Sequence, residues 1–224
     1  MIMIPKKALV FLKDLTENNN REWFNARKDE FLDINEEMKS FYAEVVGQLN
    51  QEDHIVKTRV YRIYRDIRFS KDKTPYKKFL AAHFARKKPE LRGGYYLKIQ
   101  PGGESRISVE FRNPVKEDLY RVRKEWEADA TGIRSILDRL DFKEVWGEML
   151  GEQLKVAPYS FDKNNPNIDL INYKQWVFRR YFKDEEVTAP DFAKKIADSY
   201  SAARPFFDYM SEILTTDLNG ESLL

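Results

Sequence analysis

Hydrophobic residues in the first fifty positions recur every three or four residues, which is the spacing of helices with one buried face. Phe11, Leu12 and Leu15 predict a first helix, which the asparagines at 18–20 end. A longer stripe predicts a second helix over residues 21–50, about 45 Å long at 1.5 Å per residue. The large aromatic side chains in this stripe favour packing on the protein's own sheet over a coiled coil.

The middle of the chain changes to the alternation of strands with one buried face. Turns that contain paired glycines separate the alternating segments. Such segments predict an antiparallel meander of about four strands with a polar face. The clearest of them are residues 79–85, 95–100 and 106–112, and residues 176–182 are a further strand candidate.

Helical stripes return in the C-terminal half. Asn113-Pro114 predicts a helix start, with a capping asparagine followed by proline at the first helical position. Further helix is expected up to Gly151, and Pro205 is expected to interrupt the last helix. The whole pattern predicts an α+β fold in which the sheet packs against several helices, including the long N-terminal one. A length of 224 residues suits a single domain over residues 1–224.

The amino-acid composition excludes several kinds of functional site. The chain has no cysteine, which excludes disulfides, thiolate metal sites and cysteine nucleophiles. His54 and His83 are the only histidines and lack metal-site spacing, so no metal site is predicted. No apolar run approaches the roughly 20 residues that span a bilayer, and the N-terminus is a poor signal peptide. We therefore expect a cytoplasmic protein with no membrane partner.

A near-neutral total charge conceals an uneven distribution. The formal net charge is +2, but residues 57–98 hold 14 basic and 3 acidic residues, a local balance of +11. The remainder holds 25 basic and 34 acidic residues, a balance of −9. A basic segment on an acidic body indicates an anionic partner.

The densest part of that segment is residues 59–78, in which arginines recur every third residue from Arg59 to Arg68 between tyrosines. A short strand leading into a turn is the favoured local structure, and a helical stripe is the alternative. Guanidinium forks match phosphate or carboxylate, and tyrosine rings supply stacking surfaces and hydroxyl groups. The candidate ligand-binding residues are Arg62, Arg65, Asp66, Arg68, Lys73, Tyr76 and Lys77.

Several functions remain open for these residues. The first is binding of a phosphate-bearing small molecule, with a nucleic acid as the alternative partner. The second is an enzyme in which Asp66 or Glu110 is a general base or metal ligand and the arginines stabilise negative charge. The third is a scaffold with a basic docking face. Alternatively the arginines only pair with Asp66, Asp72 and Glu110 and hold the fold together. The sequence predicts no particular catalytic residue, cofactor or oligomeric state.

Four stretches of the chain form motifs that are long enough to be specific. They are Phe11–Leu15 with Asn18–Phe24, Arg62–Asp66 with Arg68–Lys77, Tyr95-Tyr96 with Pro101-Gly102-Gly103, and Pro158, Phe161-Asp162-Lys163, Pro166, Leu170 and Lys174. Together they resemble the family named domain of unknown function 2461. The resemblance covers nearly the whole chain and implies that the segment from Arg62 to Lys77 matters, but it implies no catalytic residues.

Three positions depart from the family pattern. Tyr159-Ser160 stand where the family usually has Arg-Gly, and Asn165 stands where it often has histidine. If that arginine or histidine belonged to a shared site, the site would be altered in this protein.

Overall fold

A computed structural model describes residues 2–224 of the protein. Within that range the strands are β1 (Ile55–Val60), β2 (Leu80–Arg86), β3 (Gly94–Ile99), β4 (Ser105–Phe111) and β5 (Trp176–Phe182). The helices are α1 (Lys6–Glu17), α2 (Arg21–Ala26), α3 (Lys28–Leu49), α4 (Lys116–Ala128), α5 (Thr131–Asp138), α6 (Leu140–Trp146), α7 (Ile168–Ile171), α8 (Asp184–Val187), α9 (Phe192–Ala202) and α10 (Arg204–Thr215).

The strands form one antiparallel sheet in the order β1-β2-β3-β4-β5. Each strand lies beside its neighbours in sequence, so the predicted meander and the α+β class are confirmed. β1 is an edge strand, and residues 56–59 within it are exposed. An edge strand with charged side chains such as Lys57 and Arg59 is protected from pairing with another chain.

The apolar stripe of residues 21–50 forms two helices, so the prediction of one continuous helix is wrong. Arg27, with φ −120° and ψ 20°, ends α2 and begins α3. The helix that remains, α3, has 22 residues and is about 33 Å long. Its periodic apolar side chains are buried against the protein itself, as expected from their spacing.

Two helix ends also differ from the prediction. Asn113 has φ 50°, a left-handed conformation that asparagine tolerates, and α4 begins only after Val115. Asn113 therefore belongs to the turn before the helix and does not cap it. Gly147, with φ 62°, ends α6 four residues before the predicted end at Gly151.

Contacts between residues divide the protein into two compact units. The first contains the chain up to Phe84, Tyr96–Ile107 and Tyr181–Asp198, and the second contains Ala85–Tyr95, Ser108–Arg180 and Ser199–Leu224.

The core of the first unit is built from aromatic side chains on its helices and strands. Phe41 stacks on Phe192 with ring centroids 6.0 Å apart, and Phe192 meets Phe182 edge to face at 5.0 Å. Tyr42 packs against Phe84 at 6.2 Å. These contacts bury the apolar face of α3 inside the unit, so α3 is not a coiled-coil segment.

The second unit has its own aromatic core. Phe178 of β5 lies between Phe142 and Phe206, with centroid distances of 5.0 and 5.1 Å. Arg123 is a buried residue of α4, and its guanidinium donates to the carbonyl oxygens of Ile171 and Tyr173 at 2.8 and 3.0 Å. A buried arginine bound to carbonyl groups holds the chain around α7 in place.

Candidate functional site

The basic loop, residues 61–79, joins β1 to β2 and closes on itself. Tyr64 and Tyr76 form an antiparallel bridge across its base. On one side of this bridge, the backbone N–H of Arg65 donates to the carbonyl oxygen of Pro75 at 2.9 Å. On the other side, the backbone N–H of Lys77 donates to the carbonyl oxygen of Ile63 at 2.7 Å. The stretch from Tyr64 to Tyr76 is 13 residues long and its ends meet at this bridge, as in an Ω-loop, a structure that often carries function.

Arg65 holds the inside of the basic loop together. Its guanidinium donates to the carboxylate of Asp72 at 2.6 Å, to the carbonyl and hydroxyl oxygens of Thr74, and to the hydroxyl of Ser70 at 3.4 Å. Hydrogen bonds from the backbone and hydroxyl of Thr74, and then from Arg65, lower the pKa of Asp72 to about 2. The donors of Arg65 are therefore used within the loop.

Arg68 is also paired within the basic loop. Its Nε and one terminal nitrogen donate to the two carboxylate oxygens of Asp66 at 2.9 and 2.6 Å. This fork lowers the pKa of Asp66. Lys73 donates to the carbonyl oxygen of Ile67 at 3.0 Å and so ties the two sides of the loop together.

The N-terminal motif supports the base of the basic loop. Tyr64 and Tyr76 are a non-hydrogen-bonded pair, so the backbone N–H and C=O of Tyr76 point away from Tyr64. The Asn19 side chain satisfies both groups: its Oδ1 accepts from the Tyr76 N–H at 3.1 Å, and its Nδ2 donates to the Tyr76 carbonyl at 3.0 Å. Phe24 stacks on the Tyr76 ring at 4.0 Å. Two motifs distant in sequence thus form one structural unit.

Two other cations lie against Tyr61 at the start of the loop, and a third, Arg62, is next to one of them. The Arg59 guanidinium lies 5.1 Å and the Lys77 Nζ 5.6 Å from the centre of the Tyr61 ring. Lys77 also donates to the carbonyl oxygen of Arg62 at 2.6 Å. Partial burial, followed by the charges of Arg62 and Arg59, lowers the pKa of Lys77. Within residues 2–224, none of these three cations forms an ion pair with a carboxylate.

The predicted site residues therefore divide into groups with different surroundings. Arg65, Asp66 and Arg68 are occupied by partners inside the loop, and Tyr76 is only 3% exposed beneath it. Lys73 braces the loop through a carbonyl group. The remaining two, Arg62 and Lys77, belong with Arg59 and Tyr61 to what we name the cation cluster.

The candidate ligand-binding residues chosen from the sequence did not include three residues that shape this region. Arg59 belongs to the same three-residue arginine repeat as Arg62, so the repeat could have indicated it. Tyr61 lies between those two arginines, and its contact with both Arg59 and Lys77 required the folded loop. Asn19 lies 57 residues before Tyr76 in sequence, and no local pattern connects them.

The fold and the loop define an α+β protein whose edge strand leads into a self-braced basic loop. A family model described as "Conserved hypothetical protein (DUF2461)" matches residues 7–209, and the chain belongs to this family. No curated protein and no solved structure matches the chain. Among the described residues, no helix combines the length and apolar character required to cross a membrane.

Proposed function

We propose that the protein binds a phosphate-bearing or otherwise anionic ligand at the cation cluster of Arg59, Arg62, Lys77 and Tyr61. The observation that carries the proposal is that Arg59 and Lys77 lie over one aromatic ring with Arg62 next to Lys77, and that none of the three forms an ion pair with a carboxylate among the described residues. Like charges this close repel one another, and a bound anion would relieve that repulsion. Arg62 and Arg59 supply planar forks that fit phosphate oxygens.

The arrangement of the loop supports this choice of residues. Arg65 and Arg68 are paired with carboxylates and brace the loop, whereas Arg59, Arg62 and Lys77 form no ion pair with a described carboxylate and are left for an anionic ligand. A preorganised loop loses little conformational entropy on binding. Partial burial is the largest cause of the lowered pKa of Lys77, and the charges of Arg62 and Arg59 lower it further. An anion bound there should raise that pKa again, because it favours the charged ammonium.

An enzymatic role receives less support from the same residues. The candidate general base Asp66 accepts two hydrogen bonds from the Arg68 side chain, which lower its pKa and make it a weaker base. The other candidate, Glu110, pairs with Arg112 at 3.0 Å. Binding without chemistry is therefore the function that we propose.

The test is a calorimetric titration of the wild type and variants with inorganic phosphate, pyrophosphate and a nucleoside triphosphate. Arg62→Ala is the most informative variant, because the Arg62 side chain forms no hydrogen bond or ion pair with another described residue, and only its charge acts on Asp66 and Lys77. A lost charge-assisted contact should weaken binding about tenfold to a hundredfold. Lys13→Ala, which removes one exposed charge from α1, is the control and should bind like the wild type.

Two results would reject the proposal. One is the absence of binding of all three anions by the wild type at millimolar concentration. The other is equal affinity of the wild type and Arg62→Ala, since the cluster would then take no part. Arg62→Lys distinguishes the contributions of charge and geometry: it should keep the attraction at long range and lose the planar fork.

A further inference from the structure

We infer that the ligand of the basic loop is a single-stranded nucleic acid, whose phosphates meet the cation cluster and whose bases stack on Tyr64 and Phe69. This inference rests on the proposed function and adds to it the class of ligand. It comes from two exposed aromatic rings that the basic loop presents at its base and at its tip.

Phe69 lies at the tip and is 96% exposed. The side-chain hydrogen bonds that brace the loop come from its two arms: Arg65 reaches Asp72, and Lys73 reaches the carbonyl of Ile67. The Phe69 ring makes no aromatic contact with another residue of the described chain, and only Arg68 approaches it, with its guanidinium 5.9 Å from the ring centre. The braced loop thus holds an aromatic face outward, free to stack on a planar ligand.

Tyr64 supplies a second accessible ring at the base of the same loop. It is 46% exposed, and tilted or edge contacts with Tyr76 at 5.5 Å and Phe24 at 5.8 Å fix its orientation. Phe69 is five positions after Tyr64, so their Cα atoms are at most about 18 Å apart. Two exposed rings on one short loop suit a ligand that carries several aromatic groups in succession.

The charge of this region also exceeds what one phosphate requires. Residues 57–78 contain 9 basic and 2 acidic residues, and both acids, Asp66 and Asp72, are paired inside the loop. The other seven basic residues form no ion pair with a carboxylate in the part of the chain that the structure describes. A strand with repeated phosphates neutralises many cations at once, and its bases offer a π-face to each ring. A duplex hides those faces, so the single strand is the form that fits.

The experiment measures binding of fluorescein-labelled oligodeoxythymidine of about 4, 8 and 12 nucleotides by fluorescence anisotropy. A blunt duplex of about 12 base pairs is the comparison ligand. The variants are Phe69→Ala, Phe69→Leu and Phe69→Trp, which should fold normally because the side chain is almost fully exposed. The wild type should bind the longer single strands more tightly than the shortest one and more tightly than the duplex.

Loss of one stacked base should weaken binding about 5- to 150-fold in Phe69→Ala. Phe69→Leu should resemble Phe69→Ala, because leucine keeps the apolar bulk without the π-face, and Phe69→Trp should bind at least as well as the wild type. The dependence of affinity on salt concentration separates the contribution of base stacking from that of the phosphate contacts. Phe69→Ala should leave the slope of log affinity against log salt unchanged, whereas Arg62→Ala should reduce it by about 0.7 for one lost phosphate contact.

Each other outcome overturns the inference. Equal binding of duplex and single strand, or wild-type affinity in Phe69→Ala, would remove the stacking role. Wild-type affinity in Phe69→Leu would show an apolar contact without stacking. Binding that depends on Phe69 to vesicles of phosphatidylserine and phosphatidylcholine, with none to oligonucleotides, would assign the loop to a lipid surface. If inorganic phosphate and pyrophosphate bind through Arg62 but oligonucleotides bind no better, only this inference fails. If inorganic phosphate, pyrophosphate and oligonucleotides all fail to bind, both this inference and the proposed function are wrong.

Discussion

Replacing Asn19 with alanine removes both side-chain hydrogen bonds that hold the base of the basic loop. The Asn19 amide occupies the place of a neighbouring strand, because it satisfies the outward N–H and C=O of Tyr76 at 3.1 and 3.0 Å. A neutral hydrogen bond contributes about 1 kcal/mol net to stability, so the loss of two such bonds should destabilise the closed loop by about 2 kcal/mol. That change shifts the equilibrium between the closed and open loop about 30-fold towards the open form.

Hydrogen exchange followed by NMR measures this effect directly. The amides of Arg65 and Lys77 close the base of the loop by donating to the carbonyl oxygens of Pro75 and Ile63. If the loop opens locally, exchange at these two amides should be about 30-fold faster in Asn19→Ala than in the wild type. Exchange in the strands of the sheet should change much less.

The neighbouring residue provides a matched control. Asn18 donates only to the carbonyl oxygen of Asp14, in an exposed bond of 3.0 Å at the end of α1. Asn18→Ala should therefore leave exchange at Arg65 and Lys77 as in the wild type. Unchanged exchange in Asn19→Ala, or equal acceleration in both variants, would refute the idea that Asn19 anchors the loop.

Two further predictions concern backbone strain and acid. Gly93 and Gly102 have φ of +82° and +81°, but a Cβ at Gly93 would overlap the ring of Phe207, whereas Gly102 has nothing within 4 Å. In urea unfolding, Gly102→Ala should lower the free energy of unfolding by about 1–2 kcal/mol, because alanine is strained in the left-handed backbone conformation. Gly93→Ala should lower it by about 1–3 kcal/mol more, because of the overlap with Phe207. Equal losses in the two variants would contradict this reasoning. The pKa of Asp72 is lowered to about 2, so its carboxylate should stabilise the loop fully above its unfolded pKa of about 3.9 and lose that effect as the pH falls towards 2. NMR shifts of the loop amides should follow this loss in the wild type but not in Asp72→Asn, and a loop that gained order in acid would show the opposite sign.

Local periodicity accounts for most of what the sequence determined about this protein. The two-residue alternation of β2, β3 and β4 and the three- and four-residue spacing of α1 and α3 depend on side chains a few positions apart, so they are readable without the fold. The break at Arg27 was missed because the apolar stripe continues through it and only the backbone turns. The start of α4 was missed because Asn113-Pro114 is as compatible with a turn as with a cap.

The sequence also identified the basic segment, but it did not divide its arginines by role. Arg59, Arg62, Arg65 and Arg68 are equivalent in the repeat, since each follows the last by three positions. Only the folded loop directs Arg65 to Asp72 and Arg68 to Asp66, and leaves Arg59 and Arg62 without an ion pair to any carboxylate of residues 2–224. Which charge is neutralised depends on where the chain reverses direction, and that turn is fixed in part by Asn19, 57 residues before Tyr76. Composition and local pattern determined that this region is positively charged, whereas contacts between distant residues decided which of its charges remain for a ligand.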